Sequence, residues 1–244
     1  MFGRNSLIFI FFSTFLFGQK NVENQQLLWY GYYNKLQINK NWVLNSEVQE
    51  RHFYQPLVQH QLVFRTNLDR RILDDINVSL GFVVFLQSPN DPESESTLMV
   101  PELRTDFGFN AKKKYKYFNV NQRFKVEARF FHQTENNELV GGYQFSNFRM
   151  RYQLGLDIPL IKKQDAEKLI LKIKDEVMFN FGKNIVKNVF DQNRIYIGLN
   201  YPMNKNLAFE AGYLNWFQQR PSGTDFYNRD IIRFSVFHTI NLKK

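Results

Sequence analysis

The stretch "RFKVEARFF", Arg123 to Phe131, decides the fold. Arg123, Lys125, Glu127 and Arg129 share one parity, and Phe124, Val126, Ala128 and Phe130 share the other. Side chains of a strand point to opposite faces at every second residue, so this strand has one charged wall and one apolar wall. A soluble protein buries the apolar wall and hydrates the charges. A membrane barrel turns the apolar wall to lipid and the charges to its lumen.

The same alternation recurs along the chain. In residues 145–158, Phe148, Met150, Tyr152, Leu154 and Leu156 oppose Asn147, Arg149, Arg151, Gln153 and Asp157. In 60–69, Leu62, Phe64, Thr66 and Leu68 oppose Gln61, Arg65, Asn67 and Asp69. Eleven candidate strands follow: 27–38, 42–53, 60–69, 76–87, 98–108, 118–131, 145–158, 169–181, 191–201, 207–217 and 230–242. None of the chain reads as an amphipathic helix of useful length. The strands exceed the five or six residues of an average soluble strand and match the 9–11 residues, roughly, of a tilted span.

The first residues bear on the compartment. Arg4 precedes the apolar run "LIFIFFSTFLF" (7–17), followed by Gly18 and a polar segment. That is the layout of a signal peptide, 1–18, ahead of a single domain, 19–244. The run is too short for a spanning helix, which needs about 20 apolar residues. Mean hydropathy is negative, which excludes a helical membrane protein and leaves room for a barrel, where only alternate residues are apolar. With no cysteine, disulfides, thiol catalysis and zinc–thiolate sites are out.

The connections come in two kinds. One set is short or lysine-rich: 39–41, 70–75, 109–117, 159–168 and 202–206. The other carries loop residues: "SPNDPESEST" (88–97), "QTENNELVGG" (133–142), "GKNIVKNV" (182–189) and "QRPSGTDFYN" (219–228). Short turns at one end and longer loops at the other suit periplasm and exterior, with the C-terminus periplasmic. Eleven antiparallel strands would then start the chain on the exterior side. An all-antiparallel closed barrel therefore calls for ten or twelve strands; twelve is the preferred count, and a count of ten would leave 27–38 as a segment that does not span. Trp29, Tyr30, Trp42, Tyr54, Tyr117, Tyr201 and Trp216 sit near strand ends and are expected at the headgroup level.

The charged walls mix signs in mid-strand. Glu102, Arg104, Arg123, Glu127, Arg129, Arg149, Arg151, Glu176 and Arg194 are expected to form a lumen charge network, structural or facing a solute. Paired charges tolerate the interior and unpaired ones do not. Further charges, among them Glu47, Arg51, Arg65, Asp106, Glu210 and Arg233, share these walls. The formal net charge of +9 collects in short lysine stretches such as "AKKKYK" (111–116) and reads as solvated turns. With no RNA-binding motif, no nucleic-acid partner is expected.

Catalytic signals are absent from the sequence. His52, His60, His132 and His238 show no metal spacing, and no Gly-x-Ser-x-Gly elbow occurs. "SVFH" (235–238) sends Ser235 and His238 to opposite faces, unlike the His-x-Ser arrangement of outer-membrane phospholipases. Glu127 and Glu176, in arginine-rich surroundings, suit ion pairing better than proton donation. No enzyme activity, cofactor or metal is expected.

"DQNRIYIGLNY" (191–201) and "AGYLNWFQ" (211–218) resemble the C-terminal part of the domain-of-unknown-function 2490 family. "FRMRYQLGL" (148–156) and "KDEVMFNFG" (174–182) also resemble its Arg- and Glu-bearing strands. The resemblance covers nearly all of the mature chain. It implies a small outer-membrane barrel of the kind found in Bacteroidetes and similar Gram-negative bacteria, with no assigned activity to carry over.

The expectation is thus a closed antiparallel up-and-down transmembrane β-barrel of the outer membrane. Its partners would be outer-membrane lipids and, during biogenesis, the barrel-assembly machinery. Its lumen would pass or bind small polar or anionic solutes. Two alternatives stand beside it: a secreted calyx holding a small apolar ligand, with the faces reversed, and an outer-membrane lipid hydrolase.

Overall fold

The computed structural model describes residues 20–163 and 166–242. The expected signal peptide, 1–18, and Lys243 and Lys244 lie outside the described residues. Among the described residues the regular structure is all strand: β1 (Asn21–Gln37), β2 (Trp42–Phe53), β3 (Gln59–Leu73), β4 (Ile76–Gln87), β5 (Val100–Lys114), β6 (Asn119–Glu135), β7 (Glu138–Lys163), β8 (Ala166–Phe181), β9 (Phe190–Pro202), β10 (Leu207–Gln219) and β11 (Asp225–Asn241). Each pairs with its sequence neighbours, and β1 pairs with β11 to close a barrel.

The closure corrects the expected count of twelve strands and the wholly antiparallel topology. Eleven strands close because β1 and β11 run parallel, in unbroken register from Asn21↔Asp225 to Gln37↔Asn241. Strands one and eleven of an up-and-down meander point the same way. An odd count therefore closes through one parallel pair, and an even count is required only where every pair is antiparallel. The segment expected at 27–38 is a full strand that begins six residues earlier, at Asn21. Asn21 consequently lies at the loop end of the barrel and Asn241 at the turn end.

A second correction concerns "QTENNELVGG". This is no long loop: β6 and β7 continue through it as a hairpin whose tip is Asn136–Asn137. Both residues have positive φ, 48° and 63°, the conformation of the two-residue turns that match strand twist. Polar composition concealed a strand that projects beyond its neighbours.

The walls separate sharply. Phe124 and Val126 point outward, while Lys125 and Glu127 are buried. The outer surface exposes Leu80 at 65 %, Ile195 at 52 % and Phe107 at 50 %, whereas Glu127 is 0 % exposed. The apolar residues inside are few. Leu27, Trp29, Phe53, Tyr196, Leu214, Trp216 and Ile231 cluster near the parallel seam, and Val63, Val83 and Phe85 form a smaller group. Trp29 and Trp216 are therefore interior residues and not headgroup anchors. β1 carries apolar residues on both parities (Leu27 and Trp29, Leu28 and Tyr30), so its alternation did not assign a face.

Candidate functional site: an arginine-rich lumen

The strand register builds the charge network. Glu127 on β6 lies opposite Arg149 on β7 and Asp106 on β5. Arg149 sets Nε and Nη2 on Glu127 Oε2 at 2.8 and 2.5 Å. Arg151 places Nη1 on Glu127 Oε1 at 2.6 Å and reaches Glu176 on β8 with Nη2 at 2.8 Å. Arg123 donates to the same Glu176 oxygen at 2.8 Å.

On the other side of Glu127, Arg104 Nη1 lies 3.9 Å away. Arg104 also grips Glu102 with two bonds of 2.6 Å, and Arg129 adds a third at 2.6 Å. Arg149 Nη1 extends the network to Asp191 on β9, at 3.0 Å. Such forked arginine–carboxylate geometry combines charge with directional hydrogen bonds. Eight of the nine candidate residues thus join one connected chain across β5, β6, β7 and β8. Lys125 and Asp106 form a separate buried pair at 2.6 Å.

Arg194 stands apart. Its Nε donates to Gln192 Oε1 at 2.8 Å, and its guanidinium lies 4.4 Å from the Trp216 ring centroid. Near the seam three more arginines share this habit. Arg51 lies 3.7 Å from the centroid of Trp29 and bonds Gln49 and Gln61. Arg229 lies 4.5 Å from Trp216 and bonds Gln25, Gln218 and Asn90. Arg233 bonds the Tyr33 hydroxyl at 2.8 Å. Among the described residues none of these four has a carboxylate within 4.0 Å, though carboxylates pair most other lumen cations. Amide oxygens and ring faces take that place.

The alternation places Arg51 and Arg233 on polar walls, but their clustering depends on the β1–β11 closure, which no local pattern encodes. Arg229 fell just before the expected start of its strand, which begins at Asp225.

Three cavities lie along the lumen. The loop-end one, about 700 Å³, is lined by Arg104, Arg129, Arg149, Arg220 and Trp216 among others. A central chamber of about 240 Å³ adjoins it at Arg194, which lines both. A turn-end cavity of about 360 Å³ shares Arg65 and Arg123 with the chamber. Cationic donors thus occur at every level. Among the described residues no cluster of His, Asp and Glu is arranged to hold a metal. No curated protein and no solved structure matches the chain. Residues 26–228 match the model of the family described as "Protein of unknown function (DUF2490)", and with most of its length covered the chain belongs to that family.

Proposed function

We propose that the protein is an integral outer-membrane β-barrel whose arginine-rich lumen binds or passes small anionic solutes without catalysing a reaction. The observation that carries this reading is the polarity of the wall. Large apolar side chains such as Leu80, Phe107 and Ile195 cover the outside, and Glu102, Glu127 and Arg149 are buried inside. An exposed apolar surface of this extent is costly in water and favourable in hydrocarbon. A secreted calyx would require the reverse arrangement. The signal-like residues 1–18 support export. A hydrolytic reading lacks support, since Ser235 is buried in the lumen while His238 hydrogen-bonds the outward Tyr32.

The test is fractionation from a Gram-negative host, with SDS gels run on boiled and unboiled samples. Recovery in the outer-membrane fraction with a heat-dependent mobility shift is expected. Recovery in the soluble periplasm without the shift would overturn the reading. Reversal potentials across planar bilayers under a salt gradient test the lumen. Anion selectivity is expected, and cation selectivity or an electrically silent barrel that binds no anion would remove the solute assignment.

A further inference from the structure

We infer that the central chamber is a binding site for one small multivalent oxyanion of the phosphate or sulfate class. This deepens the lumen reading above and rests on it for the ligand's route of entry. The chamber draws its wall from nine of the eleven strands. At about 240 Å³ it has room for roughly eight water volumes, which suits a tetrahedral oxyanion with residual water and excludes an oligosaccharide or a lipid.

The charge balance sets the sign of the ligand. Seven cationic side chains line the chamber against two carboxylates, Glu47 and Glu176; Lys174 also lies 3.9 Å from Glu210 and Arg151 bonds Glu127, so Arg51, Arg194 and Arg233 are the three lining cations with no carboxylate within 4.0 Å. Both carboxylates are already engaged, Glu47 by Arg65 and Glu176 by Arg123 and Arg151. Closely spaced like charges in a wall of low dielectric repel strongly unless an anion joins them.

Donor capacity is also left over. Arg194 spends only Nε, on Gln192, so both its Nη groups have no partner among the described residues. Arg65, Arg123 and Arg233 each engage a single Nη group. The Nε atoms of Arg51, Arg65, Arg123 and Arg233 and the Trp29 indole nitrogen also lack acceptors but are fully enclosed, so the free Nη groups are the donors a ligand reaches. All of these free groups are donors. A cation is repelled by such a wall, and a neutral sugar, which must donate as well as accept, finds few free acceptors. An oxyanion accepts from several directions at once, which a monovalent halide does less well. Arg194, shared with the loop-end cavity, and Arg65 and Arg123, shared with the turn-end one, give the ligand contacts on either side of the chamber.

The experiment is isothermal titration calorimetry of the full-length protein folded in detergent, with sodium phosphate and then sodium sulfate, in a constant sodium chloride background. One saturable site per chain is expected, with each oxyanion displacing the other. Arg194→Gln and Arg233→Gln should each weaken it about tenfold, the ratio expected for losing a charge-assisted hydrogen bond. Neither residue has a carboxylate partner, so neither change strands a buried anion. Lys205→Gln, on an exposed turn, should leave binding unchanged. Absence of saturable heat with the wild-type protein overturns the inference, as does binding that both lumen variants leave intact. Should a variant not fold, phosphate–sulfate competition on the wild type still decides. Loss of the heat-dependent gel shift in the same sample would overturn the membrane reading alone, because the chamber is identical in a soluble barrel.

Discussion

Glu127 and Arg149 face each other across β6 and β7, and two guanidinium nitrogens of Arg149 close on one Glu127 oxygen at 2.8 and 2.5 Å. Arg151 holds the second oxygen at 2.6 Å and Arg104 lies 3.9 Å away, so one fully buried carboxylate serves three arginines. Removing one member of a buried ionic cluster leaves charge uncompensated, at about 3–5 kcal/mol. Glu127→Gln should lower unfolding stability by that order, measured as the urea dependence of the folded, heat-shifted band. Glu47→Gln, which takes the carboxylate from one arginine, Arg65, and not from three, should cost less. Equal losses would show that Glu127 is no hub.

The two walls of β6 give opposite predictions for neighbouring residues. Phe124 is on the outer face, and Arg129 lines the loop-end cavity beside Glu102. Phe124→Arg or Val126→Arg should cost about 2–4 kcal/mol of folding into lipid vesicles if the site lies near the bilayer midplane. Arg129→Ala should preserve insertion and change lumen conductance. A harmless Phe124→Arg together with an assembly-dead Arg129→Ala would reverse the assignment of faces.

The parallel seam is open to direct test because the chain has no cysteine. Tyr30 and Phe234 are register partners on the outer face, with stacked rings 6.0 Å apart. Neighbouring strands lie about 4.8 Å apart, within disulfide reach. Tyr30→Cys with Phe234→Cys should therefore cross-link under oxidation, altering mobility on non-reducing denaturing gels. Tyr30→Cys with Ile240→Cys, about 20 Å further along β11 at strand rise, should not. A twelfth strand between β1 and β11 would abolish the first cross-link.

The faces of most strands were legible in the sequence because the alternation of Phe124 with Arg123 is a local property. Two elements, 42–53 and 76–87, have the bounds expected of them. The closure was not legible. Whether β1 meets β11 or an additional strand depends on how the whole meander curls, and the alternation in β1 is blurred by apolar residues on both parities. The charge network was legible as a list and not as a set of pairs. That Glu127 meets Arg149 follows from a register that hairpin geometry fixes. That Arg194 stacks on Trp216 follows from β9 and β10 lying side by side, with the tryptophan turned inward.

Gly198 and Gly212 face each other on β9 and β10, and the Tyr196 ring leans over them. Tyr196 Oη donates to Glu210 Oε1 at 2.9 Å, and Asn200 adds a bond of 3.1 Å to the other oxygen. A Cβ at Gly198 would fall 2.2 Å from Tyr196 Oη and 2.9 Å from the Ala211 carbonyl oxygen. Gly198→Ala must therefore displace the ring, and overpacking of this kind costs about 1–3 kcal/mol. Combined with Tyr196→Ala, which removes the obstructing ring and leaves only the close approach to the Ala211 carbonyl oxygen, the same substitution should cost less, because contacting residues couple. Urea midpoints of the two single variants and the double variant in detergent measure this. If the two losses simply add, the glycines do not serve to seat Tyr196 over the β9–β10 pair.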